Sequence, residues 1–434
     1  MHIQVSEKCI KLINILAKSA KLNWGLGQQA LLTIYKGAVL PMLLYGVQVW
    51  EAAILKRKNM LKYQRVQRLM NIRITKAHRT VSYEASCVLA AVKPINIKIQ
   101  ETLEIYKGTH NTSGNETLTQ LEVALKLKEW PHPADRTRVQ EAQDNTQYNT
   151  EVYTDGSKIN GKVGAAAAIF QNGELIKTLK YKLAPYCSNN QAEQIAILQA
   201  LKEIEANREL QIGQKLGVVN TDSQITVELL KNSQIRNKTI EEIKAKIQHL
   251  QHKGWTIHIK WVKAHAGQYG NELADQLAKK AAQEDRGEEI YDKIPRTHII
   301  KEAKERGLRR WQNQWESTTK GNISKMFFPS VRERKKQRIP LNGQTTAILT
   351  GHGKTREYYN RFKIVESAMC VCQQQNQTVN HLIYECTLLS NERQILKQHI
   401  RLKGGQWPVT NHDLVKDYLK EFLNFINKID FEKL

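Results

Sequence analysis

The central segment 151–183 reads EVYTDGSKINGKVGAAAAIFQNGELIKTLKYKL, and its pattern decides the fold. Residues 151–156, 163–170 and 175–183 are strand-like runs, and Asn172-Gly173 is a strong signal for a two-residue hairpin turn. Downstream, the apolar periods predict helices and strands in the order helix 191–206, strand 216–220, helices 225–230 and 240–251, strand 255–263 and helix 271–282. In the strand 255–263, alternation places Trp255, Ile257, Ile259 and Trp261 on one apolar face. This order, βββαβααβα, predicts an α/β fold with a mixed sheet and flanking helices.

Four acidic residues occupy informative positions in these elements. Asp155 and Asp222 end strands, Glu193 lies in the first turn of a helix, and Asp275 lies in the last helix. Because strand ends and helix starts converge on one rim of an open α/β sheet, we expect the four carboxylates to lie together. Clustered carboxylates repel one another, and hard divalent cations relieve that repulsion. Two magnesium ions about 3.5–4 Å apart can clamp the attacking and leaving oxygens of a phosphodiester. Each acid taken alone would more simply be a capping or surface residue.

The same residues carry a family resemblance. Residues 151–284 resemble type 1 ribonuclease H in Thr154-Asp155-Gly156-Ser157, in Ala192-Glu193, in Thr221-Asp222-Ser223 and in HAGQYGNELAD at 265–275. The resemblance implies a ribonuclease H fold, and it implies that the four acids bind two magnesium or manganese ions. It also implies that His265 assists proton transfer and product release, a role that suits a histidine in a glycine-containing loop. The residues it suggests as substrate contacts are Ser157, Asn190, Gln191, Ser223 and Asn271.

The flanks indicate a larger parent protein. Residues 1–107 resemble the region after the palm in reverse transcriptases of insect non-LTR (jockey-like) retrotransposons, chiefly in GAVLPMLLYGVQVW at 37–50. No Tyr-x-Asp-Asp polymerase motif occurs, so we expect a C-terminal fragment of a polyprotein with no polymerase activity of its own. The apolar run 39–49 either packs within a self-sufficient helical module or forms an exposed patch.

The charge predicts a nucleic-acid partner. The chain has 66 Lys and Arg against 42 Asp and Glu, a net charge of +24. Residues 54–74 predict a basic amphipathic helix, with an apolar stripe of Leu61, Val66, Leu69 and Met70 and a basic face of Lys58, Lys62, Arg65, Arg68 and Arg73. Five cations crowd the tract 332–338. Such clusters are typical of phosphate contacts, although a solvated surface or a nuclear-import tract has the same composition. The absence of a long apolar run or a signal peptide predicts no membrane partner and a nuclear or cytoplasmic, not secreted, protein.

A second metal site is predicted near the C-terminus. Its candidate ligands follow the spacing C-x-C-x8-H-x4-C: Cys370, Cys372, His381 and Cys386. Thiolate and imidazole ligands suit tetrahedral zinc, and the spacing is similar to the Cys/His-rich tail of the same retrotransposon polyproteins. The alternative is a cysteine-containing helical tail that binds no metal.

The predicted organisation is a helical region at 1–107, a linker at 108–150, a ribonuclease H domain at 151–284, and a basic helical region with a small Cys/His module at 285–434. The predicted function is endonucleolytic hydrolysis of the RNA strand of RNA–DNA hybrids within a retrotransposon-derived protein. One alternative is an inactive retroelement remnant that binds nucleic acid. Another is a DNA-cutting or strand-transferring relative, against which Glu193 and the 265–275 run argue.

Overall fold

The computed structural model describes residues 2–19, 26–110, 121–122, 132, 139–143, 146–232, 237–284 and 287–434. Most of the predicted linker 108–150 lies outside these residues. The chain divides into two compact units, which we call the helical unit (1–107 with 302–434) and the sheet unit (108–301). The predicted organisation differs from this division, because the two flanks of the sheet unit form one body.

The N-terminal part of the helical unit contains α1 (His2–Ser19), α2 (Gln28–Ile34), α3 (Leu40–Leu44), α4 (Glu51–Ile54), α5 (Arg57–Thr75), α6 (Tyr83–Leu89) and α7 (Ile95–Thr109). These helices enclose a core built only from residues of this region, among them Tyr35, Val66 and Met70. The apolar run 39–49 contributes Val39, Leu43 and Val47 to that core. The run therefore buries one side in this core, whereas Tyr45 and Val49 on it are exposed.

The basic helix begins later than predicted, at Arg57, because Lys56 before it has an extended backbone. Its buried face is formed by Tyr63, Val66, Met70 and Ile74, whereas Leu61, expected on the apolar stripe, is exposed. Arg68, expected on the basic face, instead donates Nε–H to the Val81 carbonyl at 2.9 Å. Part of the predicted cationic face is thus used to hold the turn before α6.

The sheet unit contains β1 (Gln140–Glu141), β2 (Thr150–Ile159), β3 (Lys162–Gln171), β4 (Glu174–Leu183), α8 (Asn189–Ala206), β5 (Leu216–Thr221), α9 (Gln224–Lys231), α10 (Lys238–His252), β6 (Thr256–Trp261) and α11 (Tyr269–Gln283). Within the described residues the strands form one sheet in the order β1-β6-β5-β2-β3-β4. Strands β2, β3 and β4 are antiparallel, and β2, β5, β6 and β1 are parallel. The predicted mixed sheet is confirmed.

Local sequence explains this sheet. Asn172 and Gly173 both have positive φ, +52° and +87°, which the tight hairpin between β3 and β4 requires. Strand β3 is buried from Val163 to Phe170 because α8 and α11 both pack against it. A strand covered on both faces needs small or apolar residues at consecutive positions, and the run of four alanines at 165–168 supplies them.

A short extended segment closes the sheet unit beyond the predicted boundary at 284. The Ile290 amide donates to the Lys182 carbonyl, and the Ala184 amide donates to the Tyr291 carbonyl, both at 3.0 Å. Residues 287–294 therefore lie against β4 and its following turn instead of belonging to the C-terminal region.

The remaining helices are α12 (Arg296–Ser317), α13 (Asn322–Phe327), α14 (Val331–Lys336), α15 (Gly343–Thr350), α16 (Arg356–Arg361), α17 (Ser390–Leu402), α18 (Asn411–Lys416) and α19 (Leu419–Lys428). Their core includes Val88 and Leu89 of α6 together with Trp311, Phe327 and Phe422. Helix α6 buries every residue from Ala85 to Leu89, so it needs partners on both sides. The second side of α6 thus joins the two flanks into one unit. None of the described helices combines the length and apolar character that a membrane crossing requires.

The basic tract 332–338 is partly internal. Arg334 is only 2% exposed, and its guanidinium donates to the carbonyls of Leu89 and Gln337. Arg332 pairs with Glu305 of α12. Arg334 is therefore a structural link between α14 and the end of α6, and it is not accessible to a phosphate.

Arg334→Leu should destabilise the helical unit by about 2–3 kcal/mol, because it leaves the buried Leu89 carbonyl without its charged donor. The full chain is unfolded with denaturant, and the unfolding midpoint is determined from the amide protection of α6 and α14. Lys336→Ala, an exposed change in the same helix, is the control. Equal midpoints for the two variants would contradict this role of Arg334.

Candidate active site

The sheet unit brings the four predicted acids to one cavity. Its volume is about 420 Å³, and its lining includes Asp155, Glu193, Asp222, Asp275 and His265. Asp155 lies on β2, Glu193 in the first turns of α8, Asp222 just after β5 and Asp275 on α11. Ligand oxygens of Asp155, Glu193 and Asp222 all lie within 4.8 Å of one another. The arrangement follows from the parallel pairing of β2 with β5, whose last pair is Thr154 with Thr221, so Asp155 and Asp222 follow that pair side by side.

Gly156 sets how closely α8 approaches β2. A Cβ atom at this position would lie 2.5 Å from the Glu193 amide nitrogen and 2.8 Å from the Ala192 Cβ. A residue with a side chain would therefore push the start of α8 away from the strand. Asp155 supplies a carboxylate, and the missing side chain of Gly156 leaves the space that lets Glu193 come close to it.

The carboxylates are crowded and poorly hydrated. Asp155 is 7% exposed and Glu193 is 4% exposed. Burial, followed by the charges of Asp222 and Asp275, raises the pKa of Asp155 to about 7, although Lys279 opposes the shift. Burial and the charges of Asp155 and Asp222 raise the pKa of Glu193 well above its usual range. Burial also raises the pKa of Asp222, with Asp275 adding to the shift. Without counter-ions, repulsion between the carboxylates destabilises their ionised forms.

Lys279 and His265 border the acids. Lys279 Nζ lies 2.6 Å from Asp275 Oδ2, one helical turn along α11. His265 is exposed in the loop between β6 and α11, with positive φ of +52°. Gly267 in the same loop also has positive φ, whereas Gly270 is a packing position where a Cβ would strike the Tyr153 ring. The tip of the loop is thus free of close packing at Gly267, whereas Gly270 holds the start of α11 against the sheet.

The predicted substrate contacts divide into two groups. Asn190 and Ser223 line the cavity, and Ser157, Gln191 and Asn271 do not. Gln191 is buried: its side chain accepts from the Ser188 amide in a capping box, and its amide donates to the Lys293 carbonyl. The Ser188-x-x-Gln191 spacing is itself a capping-box signal, so the sequence contained the reason to assign Gln191 to the helix start.

Sequence reasoning missed two side chains beside the acids. Asn189 lines the cavity, and its Nδ2 lies 3.4 Å from Glu193 Oε1. Trp261, expected on the buried face of β6, is 47% exposed and donates Nε1–H to the Asp222 carbonyl at 3.1 Å. Trp261 therefore fixes the backbone that carries Asp222.

The Cys/His cluster of the helical unit also converges. Ligand atoms of Cys370, Cys372, His381 and Cys386 lie within 4.8 Å of one another. Cys372 Sγ is 3.2 Å from His381 Nε2, and Cys370 Sγ is 3.8 Å from Cys386 Sγ. Burial opposes ionisation of Cys372, but the Gln374 amide and the Cys370 and His381 side chains together lower the pKa of its thiol to about 6. These four side chains form a set of soft ligands.

Asp155→Asn should stabilise the metal-free sheet unit at pH 8 by about 1 kcal/mol or more. The folded state holds its proton on Asp155 up to about pH 7, against an ordinary pKa of 3.8, so stability falls as pH rises through this interval. At pH 4 the variant and the wild type should be nearly equal. Amide exchange of β2 and α8 in the full chain with EDTA measures this. Glu174→Gln, an exposed acid on β4, is the control, and equal protection of wild type and variant at pH 8 would contradict the prediction.

The chain is similar to known ribonucleases H. A family profile described as RNase H matches residues 147–283. Over 144 residues the chain is 31% identical to a ribonuclease H of Neorickettsia sennetsu, which covers 30% of this chain and 91% of that protein. Among solved structures, ribonuclease H1 of Halobacterium salinarum is 20% identical over 30% of this chain and 96% of its own, with a TM-score of 0.25. LC11 ribonuclease H1 in complex with an RNA/DNA hybrid is 20% identical over 30% of this chain and 98% of its own, with a TM-score of 0.26.

Retrotransposon proteins are similar over further parts of the chain. A Pol polyprotein of the type-1 retrotransposable element R1 of Popillia japonica is 28% identical over 206 residues, or 46% of this chain and 77% of that protein. A Pol polyprotein of R1 element 4 of Nasonia vitripennis is 38% identical over 100 residues, which are 23% of this chain and 25% of that protein. The chain thus spans most of the first relative and only a quarter of the second. It belongs to the ribonuclease H family, and it carries its ribonuclease H domain within a protein of the non-LTR retrotransposon type.

Proposed function

We propose that the sheet unit hydrolyses the RNA strand of RNA–DNA hybrids endonucleolytically, with two magnesium or manganese ions held by Asp155, Glu193, Asp222 and Asp275. The observation that carries this proposal is the convergence of three ligand oxygens within 4.8 Å in an open cavity of a ribonuclease H domain.

The donor set fits hard divalent cations. All four side chains offer oxygen, which Mg²⁺ prefers. Glu193 Oε2 is buried and has no hydrogen-bond partner among the described residues, so one strong acceptor is left unsatisfied. When bound, two such ions would neutralise the carboxylates and provide Lewis-acid stabilisation of an in-line displacement.

The protein's own residues position these groups and move protons. Asn189 orients Glu193, and the Trp261 indole holds the carbonyl of Asp222. In the hydrolysis, a water molecule adds to phosphorus, the bond to the leaving ribose oxygen breaks, and a proton passes to that oxygen. His265, exposed at the side of the cavity, can accept or donate this proton. We propose proton transfer and product release as its role.

We propose an RNA–DNA hybrid as the substrate, as in the LC11 complex, with most of the grip supplied by the helical unit. The two units differ sharply in charge. The helical unit has 40 Lys and Arg against 18 Asp and Glu, a net of +22, and the sheet unit has 26 against 24, a net of +2. Since phosphate contacts dominate non-specific affinity, the helical unit is the better binder. This distribution also favours the second candidate function, an inactive remnant that still binds nucleic acid.

We propose that the protein acts in the nucleus or the cytoplasm. All six cysteines are free, and three of them are gathered with His381 in a site that needs reduced thiols. Reduced thiols persist in these compartments.

Asp155→Asn should lower hybrid cleavage by at least about 1,000-fold, because it removes a metal-binding charge from the centre of the cluster. His265→Ala should lower turnover by about 100-fold, the scale of one lost proton-transfer group. The assay follows a labelled RNA strand in a hybrid, with duplex RNA and duplex DNA as comparison substrates and Glu174→Gln as the control variant. Cleavage that persists in Asp155→Asn would refute the site, and wild-type binding without cleavage would establish the inactive remnant.

We further propose that Cys370, Cys372, His381 and Cys386 hold one structural zinc ion. Four such ligands fill a tetrahedron and leave no open position for a reacting water. Cys370, His381 and Cys386 are each at most 2% exposed, which suits a structural role. His381 Nδ1 lies 3.5 Å from the Glu385 carboxylate, a partner that would orient the ring.

Cys386→Ser should reduce the bound zinc from one ion per chain to well below one half, and it should increase amide exchange across residues 368–386. The matched control is Cys187→Ser, because the Cys187 thiol already lies within hydrogen-bonding distance of the carbonyls of Tyr291 and Lys293. Hybrid cleavage should be largely unchanged in both variants. An absence of zinc in wild-type protein purified under reducing conditions would remove this site.

A further inference from the structure

The helical unit contains a second cavity, which we call the cationic pocket. Its volume is about 750 Å³, and its walls come from residues 80–85, 319–324 and 350–361. It shares no lining residue with the cavity of the acids. The volume falls in the range of small-ligand sites, about 300–1,000 Å³. A pocket of this size holds one or two nucleotides and cannot enclose a duplex.

Cations dominate the charge of the pocket. Arg68, Lys320 and Arg361 line it, against a single carboxylate, Glu357. Within the described part of the chain, neither Lys320 nor Arg361 lies in an ion pair. Arg68 donates from Nε and Nη2 to the carbonyls of Arg79 and Val81, and these bonds hold its remaining nitrogen, Nη1, in a fixed position at the pocket. The pocket therefore offers positive charge that the protein itself does not neutralise.

The inner wall is a fixed network of hydroxyl and imidazole groups. Thr80 Oγ1 lies 2.8 Å from His352 Nδ1 and 3.1 Å from the Tyr358 hydroxyl, which is 3.0 Å from His78 Nδ1. Burial, together with the charges of Arg361, His78 and Arg68, lowers the pKa of His352 to about 4. His352 is therefore neutral at physiological pH, and its environment is electropositive.

One cation also offers a planar surface. The Arg361 guanidinium lies over the rings of Tyr358 and Phe362, with its carbon 5.5 and 5.4 Å from their centroids. Stacked guanidinium and aromatic groups are the surfaces on which unpaired bases rest in single-strand binding proteins. Asn322 and Thr319, both exposed at the pocket, add polar groups that can bond to base edges or phosphate oxygens.

We propose that the cationic pocket is a binding subsite for single-stranded nucleic acid, taking phosphodiester oxygens on Arg68, Lys320 and Arg361 and an unpaired base against Arg361. This rests on the proposed nucleic-acid binding of the helical unit, which it narrows to one pocket and to the single-stranded form. It is independent of catalysis by the acids. The net charge of +22 on the same unit favours a polyanion over a small neutral ligand.

The test compares Lys320→Gln/Arg361→Gln with Lys336→Gln/Lys416→Gln in the full chain. The second pair removes the same charge from exposed positions of the same unit outside the pocket. The probe is a fluorescent 12-nucleotide oligouridylate, titrated in EDTA over a range of salt concentrations. We expect the pocket pair to weaken binding at least tenfold and to lower the salt slope by about 1.4, the value for two phosphates on a single strand. The control pair should weaken binding less than threefold.

Two further measurements, together with two possible outcomes of the titration, distinguish the ways in which the proposal can fail. Photo-crosslinking of a 4-thiouridine probe should label residues within 319–324 or 350–361, and labelling elsewhere only would overturn the proposal. Equal weakening by the two pairs would overturn it while leaving binding by the helical unit in place. Wild-type protein that does not bind the oligonucleotide would overturn both the single-strand subsite and the proposed nucleic-acid binding of the helical unit. A 12-residue polyglutamate that binds as tightly as the oligonucleotide would show a general polyanion site and overturn the nucleic-acid assignment.

Cleavage provides the final check on independence. At saturating hybrid, the pocket pair should cleave at the wild-type rate, because neither residue touches the acid cavity. A loss of maximal rate would tie the pocket to catalysis and contradict a separate single-strand subsite.

Discussion

The contact between Gly156 and the first turn of α8 controls the chemistry of the sheet unit. Because no side chain separates strand from helix there, Glu193 is brought beside Asp155 and both are removed from water. The same contact creates an electrostatic penalty that the folded chain carries until a counter-ion arrives. The close contact between strand and helix thus brings the carboxylates together, and the repulsion between these carboxylates favours cations at the site.

The sheet and the acids could be predicted because their signals are local. Period-two and helical patterns, the Asn172-Gly173 turn and the run at 265–275 each lie within one or two elements. Where the predictions differ from the structure, the decisive partners are distant in sequence. Gln191 is covered by the carbonyl of Lys293, and Arg68 is turned inward by the 79–81 turn. Trp261 leaves the apolar face to bond the end of β5. Periodicity reports which face is apolar and does not report which other segment covers it.

The division of charge between the units has a physical rationale. A hydrolytic site that gathers four carboxylates repels a polyanionic substrate at short range. The sheet unit itself is nearly neutral, so it supplies little long-range attraction to offset that repulsion. The helical unit carries most of the net positive charge, and some of its cations are nevertheless committed to structure, as Arg334 is to the carbonyl of Leu89. The net charge of the chain therefore overstates the number of cations available to a ligand.

The shared core of the helical unit also constrains how the chain is made. Helix α6 meets its C-terminal partners only after the roughly 190 residues between Lys107 and Glu302 have been synthesised, which takes about 10–40 s at ordinary elongation rates. The N-terminal helices can close their own core in that time, and the sheet unit can fold completely. The apolar side of α6 has no partner during this interval, so the nascent chain presents Val88 and Leu89 to chaperones and proteases. Premature termination after the sheet unit would make that exposure permanent.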